Sequence, residues 1–178
     1  MTLEERFEQL KLIESDIWEH LQTLYEYASK CNHITELGMR YGVSTLAFLI
    51  AKPEKLISCD INYCQDIVNE YIEYSASNNF IFEFIHSNDL AFQIEETDLL
   101  FIDTLHNYSQ LRQEFELHAS KVKKYIIMHD TISFGNKDES GPGPGLLKAI
   151  EKFLQENTNW HILEHREFNN GLMILERT

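Results

Sequence analysis

The chain has 178 residues, is 43% hydrophobic and carries a formal net charge of −14, from 29 acidic against 15 basic side chains. That length and balance fit one globular domain with a sizeable core. They argue against nucleic acid or an anionic membrane surface as partner, because counterion release needs clustered Lys and Arg.

Leu3 to about Lys30 reads as one or two amphipathic helices, with Phe7, Leu10, Ile13, Ile17, Leu21 and Leu24 on the apolar stripe. Glu19 lies three residues after Asp16, so Asp16, or Ser15 before it, is the expected cap of the second. From Ile34 the pattern alternates: strand to Leu37, helix 43–52, strand 55–60, helix about 63–76, strand about 80–86. It continues with a short helix about 89–95, strand 98–102, helix about 109–121 and strand 124–129. A last helix follows Gly145 as far as about Glu156. The runs from Trp160 and Gly171 flank Asn169-Asn170-Gly171, a hairpin signal because these residues accept positive φ.

Short apolar strands alternating with helices predict an α/β fold with a mostly parallel sheet covered on both faces and closed by an antiparallel hairpin. Nothing in composition splits the chain, so residues 1–178 are expected to form one domain, a helical segment 1–31 preceding an α/β core 32–178. Thr131 to Gly145, with two prolines and four glycines, predicts an irregular segment that overhangs the cofactor cleft as a gate. Cys31, Cys59 and Cys64 form no CxxC pair, the first residues lack the basic and apolar regions of a signal peptide, and no apolar run approaches the roughly 20 residues a bilayer span needs. The expected setting is a reducing cytoplasm.

Glu36-Leu-Gly38-Met-Arg-Tyr-Gly42-Val-Ser44 joins the first strand to an apolar helix, and Asp60 closes the next strand. Glycine in such a turn tolerates positive φ and lets a ligand lie against bare backbone. A carboxylate at the next strand tip can accept hydrogen bonds from both hydroxyls of a ribose. A dinucleotide site needs a third glycine to bring a pyrophosphate onto the helix N-terminus, and Glu36 would repel a phosphate. The expected cofactor contacts are therefore Glu36, Gly38, Gly42, Ser44 and Asp60, with Asn88 or Asp89 at the third strand end for an adenine amino group.

Asp103 and Asp130 end two strands expected to be sheet neighbours, roughly 5 Å apart. Two ionised carboxylates that close repel unless a proton or a cation lies between them, and no Lys or Arg is near either in sequence. A divalent cation held by Asp103, Asp130 and His106 is the expected neutraliser, Mg²⁺ for the oxygen ligands or Mn²⁺ if His106 takes part. His106 is also a candidate general base for a hydroxyl. Strand alternation points His129 to the face opposite Asp130, in a structural hydrogen bond.

The Glu36–Ser44 stretch resembles the first motif of class I S-adenosylmethionine-dependent methyltransferases. Asp103-Thr-Leu-His106-Asn-Tyr108, His129-Asp130 and Asn169-Asn-Gly171 resemble, in that order, one branch of them: macrolide-sugar O-methyltransferases and cephalosporin-hydroxylase-like proteins. The resemblance implies a Rossmann-like fold with a mostly parallel seven-stranded sheet, a C-terminal hairpin and N-terminal helices. It also implies S-adenosylmethionine around Gly38 and Asp60, and Mg²⁺ at Asp103 and Asp130 orienting a substrate hydroxyl. Thr131 and Lys121-Val-Lys-Lys124 depart from the branch pattern. The expected activity is O-methylation of a hydroxyl on a small molecule or saccharide, with Asp103 and His106 as catalytic groups. The alternative is a cofactor-binding sensor or accessory subunit. The expected partner is a small-molecule acceptor, with a homo-oligomer left open by the amphipathic N-terminal helix.

Overall fold

The computed structural model describes residues 1–178. Apolar strands build one seven-stranded sheet: β1 (His33–Leu37), β2 (Lys55–Asp60), β3 (Ile81–His86), β4 (Thr97–Ile102), β5 (Val122–His129), β6 (Trp160–Arg166) and β7 (Leu172–Arg177). Their order is β3-β2-β1-β4-β5-β7-β6. The first five pair in parallel, and β7 runs antiparallel to both β5 and β6. The chain winds outward from β1 in one direction and from β4 in the other, which opens a crevice at their carboxyl ends where such sheets bind ligands.

Alternation along each strand feeds two apolar faces. Ile34, Leu56, Leu99, Phe101, Ile127 and Ile174 meet α2 (Leu21–Ala28) and α3 (Val43–Ile50) through Leu24, Leu46 and Phe48. Leu37, Leu100, Ile102, Ile126, Met128 and Leu175 meet α5 (Tyr108–His118) and α6 (Leu146–Glu156) through Leu111, Phe115, Ile150 and Phe153. Phe115 and Phe153 stack with centroids 4.2 Å apart. Each such side chain contributes about 1.5–3 kcal/mol when removed from water. The helices α1 (Leu3–Leu10) and α4 (Gln65–Ser77) complete the first face through Phe7 and Tyr71.

Several boundaries differ from the sequence reading. Thr2 and Glu5 form the capping box, on α1. The second N-terminal helix begins as a 3₁₀ turn, Trp18–His20, with Ile17 at its cap and no side-chain bond there. The Asp16 carboxylate instead meets Arg40 at 2.7 Å. The Ser15 and Asp16 carbonyls accept from Asn169 and Asn170. The expected helix 89–95 is one 3₁₀ turn, Asp89–Ala91, capped by Asn88.

Asn169, Asn170 and Gly171 have φ of 42°, 69° and 94°, the positive values their residue types predicted. Residues 131–145 lack regular structure, as expected, yet both ends are pinned. The Ser133 amide donates to Asn170, Phe134 to Asp130, and Leu146 to Phe134. A side chain at Gly145 would sit 2.0 Å from the Phe134 carbonyl.

Candidate active site

At the carboxyl ends of β1 to β4 lies a cleft of about 470 Å³, lined among others by Gly38, Asp60, Asn88, Asp89, Asp103 and Thr104. Gly38 has φ +93°, and a Cβ there would lie 1.9 Å from the Asp103 carbonyl. No other residue lets the β1 and β4 ends close together under a ligand. The Asp60 carboxylate faces the cleft from the tip of β2 and accepts the Arg40 amide at 2.6 Å and the Asn62 amide at 2.7 Å. Asn88 sits exposed at the rim, and the Asp89 carboxylate accepts from Gln110 at 3.0 Å.

Glu36, Gly42 and Ser44 stand behind this wall. Glu36 is fully buried and accepts from the Ser44 hydroxyl at 2.6 Å, Thr45 at 2.7 Å and Ser58 at 2.5 Å. Burial raises its carboxyl to about 7 against the lowering of those three bonds. It ties β1, β2 and the first turn of α3 together and has no oxygen free for a ligand. Gly42 starts α3 at φ +74°, and a Cβ there would press on the Tyr71 ring. Ser44 also lines a small recess beside Gly38 and Arg40.

The strands β4 and β5 are neighbours, as expected, and Asp103 and Asp130 follow their ends. His106 Nε2 lies 3.1 Å from Asp103 and 3.3 Å from Asp130, and its Nδ1 is 3.0 Å from Glu139. The His106 ring stacks on Phe134 with an interplanar angle of 10°.

His129 corrects the alternation argument. Its Nδ1 lies 3.4 Å from Asp103 and 3.3 Å from Asp130, within ion-pair distance but without hydrogen-bond geometry. The reason is Asp130, just past the strand at φ +58°, where alternation no longer governs direction. That left-handed conformation costs a non-glycine residue about 1–3 kcal/mol and is found most often at functional sites. His20 packs 5.7 Å from the His129 ring and holds the Phe168 and Asn169 carbonyls.

The two imidazoles change the charge balance inferred from sequence. Burial alone would lift the Asp103 carboxyl, but the bond from His106 and the charges of His106 and His129 hold it well below the usual range. Burial lowers both histidines, and the carboxylates more than offset this, raising His106 and lifting His129 to about 10. His20 falls to about 4 through burial, helped by the neighbouring His129 charge. The fold thus places beside these carboxylates two imidazoles that can carry the charge missing near them in sequence.

A second cleft of about 500 Å³ opens above this group, with Asp16, Ser133, Phe134 and Glu139 among its walls. It shares Arg40, Asp103 and Thr104 with the first cleft. His129, Asp16, Phe134 and Glu139 were missed in the sequence reading. Only His129 left a signal there, by preceding Asp130.

A sheet of this order with a cleft at β1 and β2 defines a class I, Rossmann-like methyltransferase fold. Among solved structures, the O-methyltransferase TomG from Streptomyces achromogenes, in complex with S-adenosylmethionine, is similar at 13% identity. The similarity covers 100% of this chain and 90% of that one, with a TM-score of 0.68. An S-adenosylhomocysteine-bound methyltransferase from Podospora anserina matches at 16% identity over 99% and 87%, with a TM-score of 0.61. An O-methyltransferase from Bacillus cereus, also with S-adenosylhomocysteine, matches at 15% over 99% and 90%, with a TM-score of 0.64. No curated protein matches the chain in sequence. Residues 35–131 match the family model described as a methyltransferase domain, and the chain belongs to that family of S-adenosylmethionine-dependent methyltransferases.

Proposed function

We propose that the chain transfers the methyl group of S-adenosylmethionine to a hydroxyl of a small molecule or saccharide. The observation that carries this reading is the junction of the two clefts at Asp103 and Thr104. The first has the strand-tip carboxylate and bare glycine a nucleoside needs. The second presents carboxylates and an imidazole at the point of contact. The nearby presence of Asp103, His106, His129 and Asp130 also supports the finer resemblance to the macrolide-sugar and cephalosporin-hydroxylase-like branch. The sulfonium already activates the methyl group, so the protein must align the acceptor oxygen and remove its proton. Asp60 would hold the ribose hydroxyls, Asp89 or Asn88 the adenine amino group, and His106, once it has released its own proton, would take the acceptor proton.

A divalent cation fits the second site. Ligand atoms of Asp103, His129 and Asp130 all lie within 4.8 Å of one another. The buried His129 Nδ1 has no hydrogen-bond partner and faces both carboxylates. His106, the ligand expected from sequence, reaches the same two carboxylates, but its other nitrogen is engaged by Glu139. A cation there would supply Lewis acidity that lowers the pKa of an acceptor hydroxyl.

The test is transfer of a labelled methyl group to a panel of hydroxylated acceptors, with and without chelator, for the native chain and Asp103→Asn. Transfer that Asp103→Asn lowers by about 100-fold or more, the scale of losing a general base and its partner, supports the reading. Transfer to amines alone, or full transfer by Asp103→Asn, would overturn it.

A further inference from the structure

Glu114, in the middle of α5, is fully buried and lies outside both clefts, yet its partners line the first one. Its Oε1 accepts from the Thr104 hydroxyl and, at 3.0 Å, from the Gln110 amide nitrogen. The same Gln110 nitrogen donates to Asp89 at 3.0 Å. Thr104, Gln110 and Asp89 are all walls of the cleft. The other oxygen, Oε2, is buried with no partner at all. A carboxylate oxygen left without a donor in the interior keeps its full desolvation penalty, whereas a proton on it removes the charge and turns it into a donor.

We infer that Glu114 is a positioning residue that orients Asp89 and Thr104 towards the nucleoside of the cofactor. This rests on the proposed placement of S-adenosylmethionine in the first cleft. Burial, helped by the neighbouring Asp89 charge, outweighs Thr104 and Gln110 and pushes the Glu114 carboxyl well above the usual carboxylate range. The proton therefore stays on the buried Oε2, while Oε1 holds the Gln110 amide nitrogen that donates to Asp89. That fixes the Asp89 carboxylate as an acceptor for the exocyclic amine of adenine. The titratable groups around Glu114 are Asp89 from the 3₁₀ turn, with His106 and His129 lining the same small void.

The experiment is calorimetric titration of the full chain with S-adenosylhomocysteine and with S-inosylhomocysteine, which lacks the amine. The native chain should prefer the adenine form by about tenfold or more, as expected for a site built to bind a donor. Glu114→Ala should weaken S-adenosylhomocysteine about tenfold and reduce the preference to about twofold, the effect of misaligning a charge-assisted bond. Glu114→Gln keeps a neutral group with an acceptor for Thr104 and Gln110, so it should stay within about twofold of native.

Raising the pH from about 7 to 9 should weaken binding to the native chain, as Glu114 loses its proton beside Asp89, and leave Glu114→Gln unchanged. Native affinity and preference in Glu114→Ala would overturn the inference. So would equal pH dependence in the native chain and Glu114→Gln, the comparison that decides if the alanine variant does not fold. If the native chain binds neither nucleoside, the cofactor placement falls first and the inference with it.

Discussion

Asp60 combines a cleft-facing carboxylate with two backbone amides that hold it in place, at 2.6 and 2.7 Å. Hydrogen bonds to charged groups are worth about 1.5–3 kcal/mol each, so Asp60→Ala should weaken S-adenosylmethionine binding on the order of 10- to 100-fold with the fold intact. Calorimetry showing native affinity would remove Asp60 from the ribose. Asp130 belongs to the other cleft and not to the walls of the first. Asp130→Asn should therefore lower methyl transfer and metal affinity together while cofactor affinity stays within about twofold, because the proposed ribose and adenine contacts lie at the ends of β2 and β3. A large loss of cofactor affinity would contradict it. Protons and metal compete for the same groups here. His106 is raised and His129 is lifted to about 10, so both hold their protons more tightly than a free imidazole and must release them to act as ligands. Metal affinity should rise as pH increases from about 6 towards 10, and isothermal titration across that range, with proton release measured in buffers of different ionisation enthalpy, checks it.

At the scale of elements, residues 131–145 were read as a gate over the cofactor, and the bonding places them elsewhere. Glu139 reaches back to the His106 backbone and ring, and Phe134 covers the same imidazole. The segment roofs the second cleft, while its first five residues are tied to the hairpin turn and α6. Protection from hydrogen exchange should therefore split within it. Amides of Ser133 and Phe134 should be protected, and those around Gly141 should exchange at the rate of open loops, since a Cβ at Gly141 would meet nothing. Uniform protection equal to β4 and β5 would rule out any opening for an acceptor. The 11–17 segment is braced across the same cleft by Asp16 on Arg40 and by Asn169 and Asn170 on its carbonyls. The pair is exposed and worth little alone, so its role is orientation of the Arg40 side chain more than stability.

Across the whole molecule, binding to the folded state alone links the site to global stability. S-adenosylhomocysteine at a hundred times its dissociation constant should add about 2.7 kcal/mol. For a chain of this size that is roughly 5–10 °C in the unfolding midpoint. Scanning calorimetry should show this shift in the native chain and a smaller one in Asp60→Ala at the same ligand concentration. An equal shift in both would place the ligand away from Asp60. No helix is long and apolar enough to cross a membrane.

The alternation of apolar runs and helices was legible because strand and helix periods are local properties. So the parallel sheet, its final hairpin at Asn169–Gly171 and the carboxylates at strand ends followed from sequence alone. Gly38 and Asp60 were legible for the same reason, each being dictated by a turn or a strand tip. What sequence did not determine was direction and company. Glu36 was assigned to the cofactor, yet the hydroxyls that consume it come from α3 and β2, elements brought alongside only by folding. His129 was turned away from Asp130 by a rule that holds inside a strand and lapses where Asp130 takes positive φ. Asp16, Glu139 and Glu114 carried no local signal, because their partners lie 24, 33 and 10 residues away. Charge balance in a buried site is set by whatever the fold places within a few ångströms. Only the tertiary structure could put two histidines beside Asp103 and Asp130 and join the two clefts at Thr104.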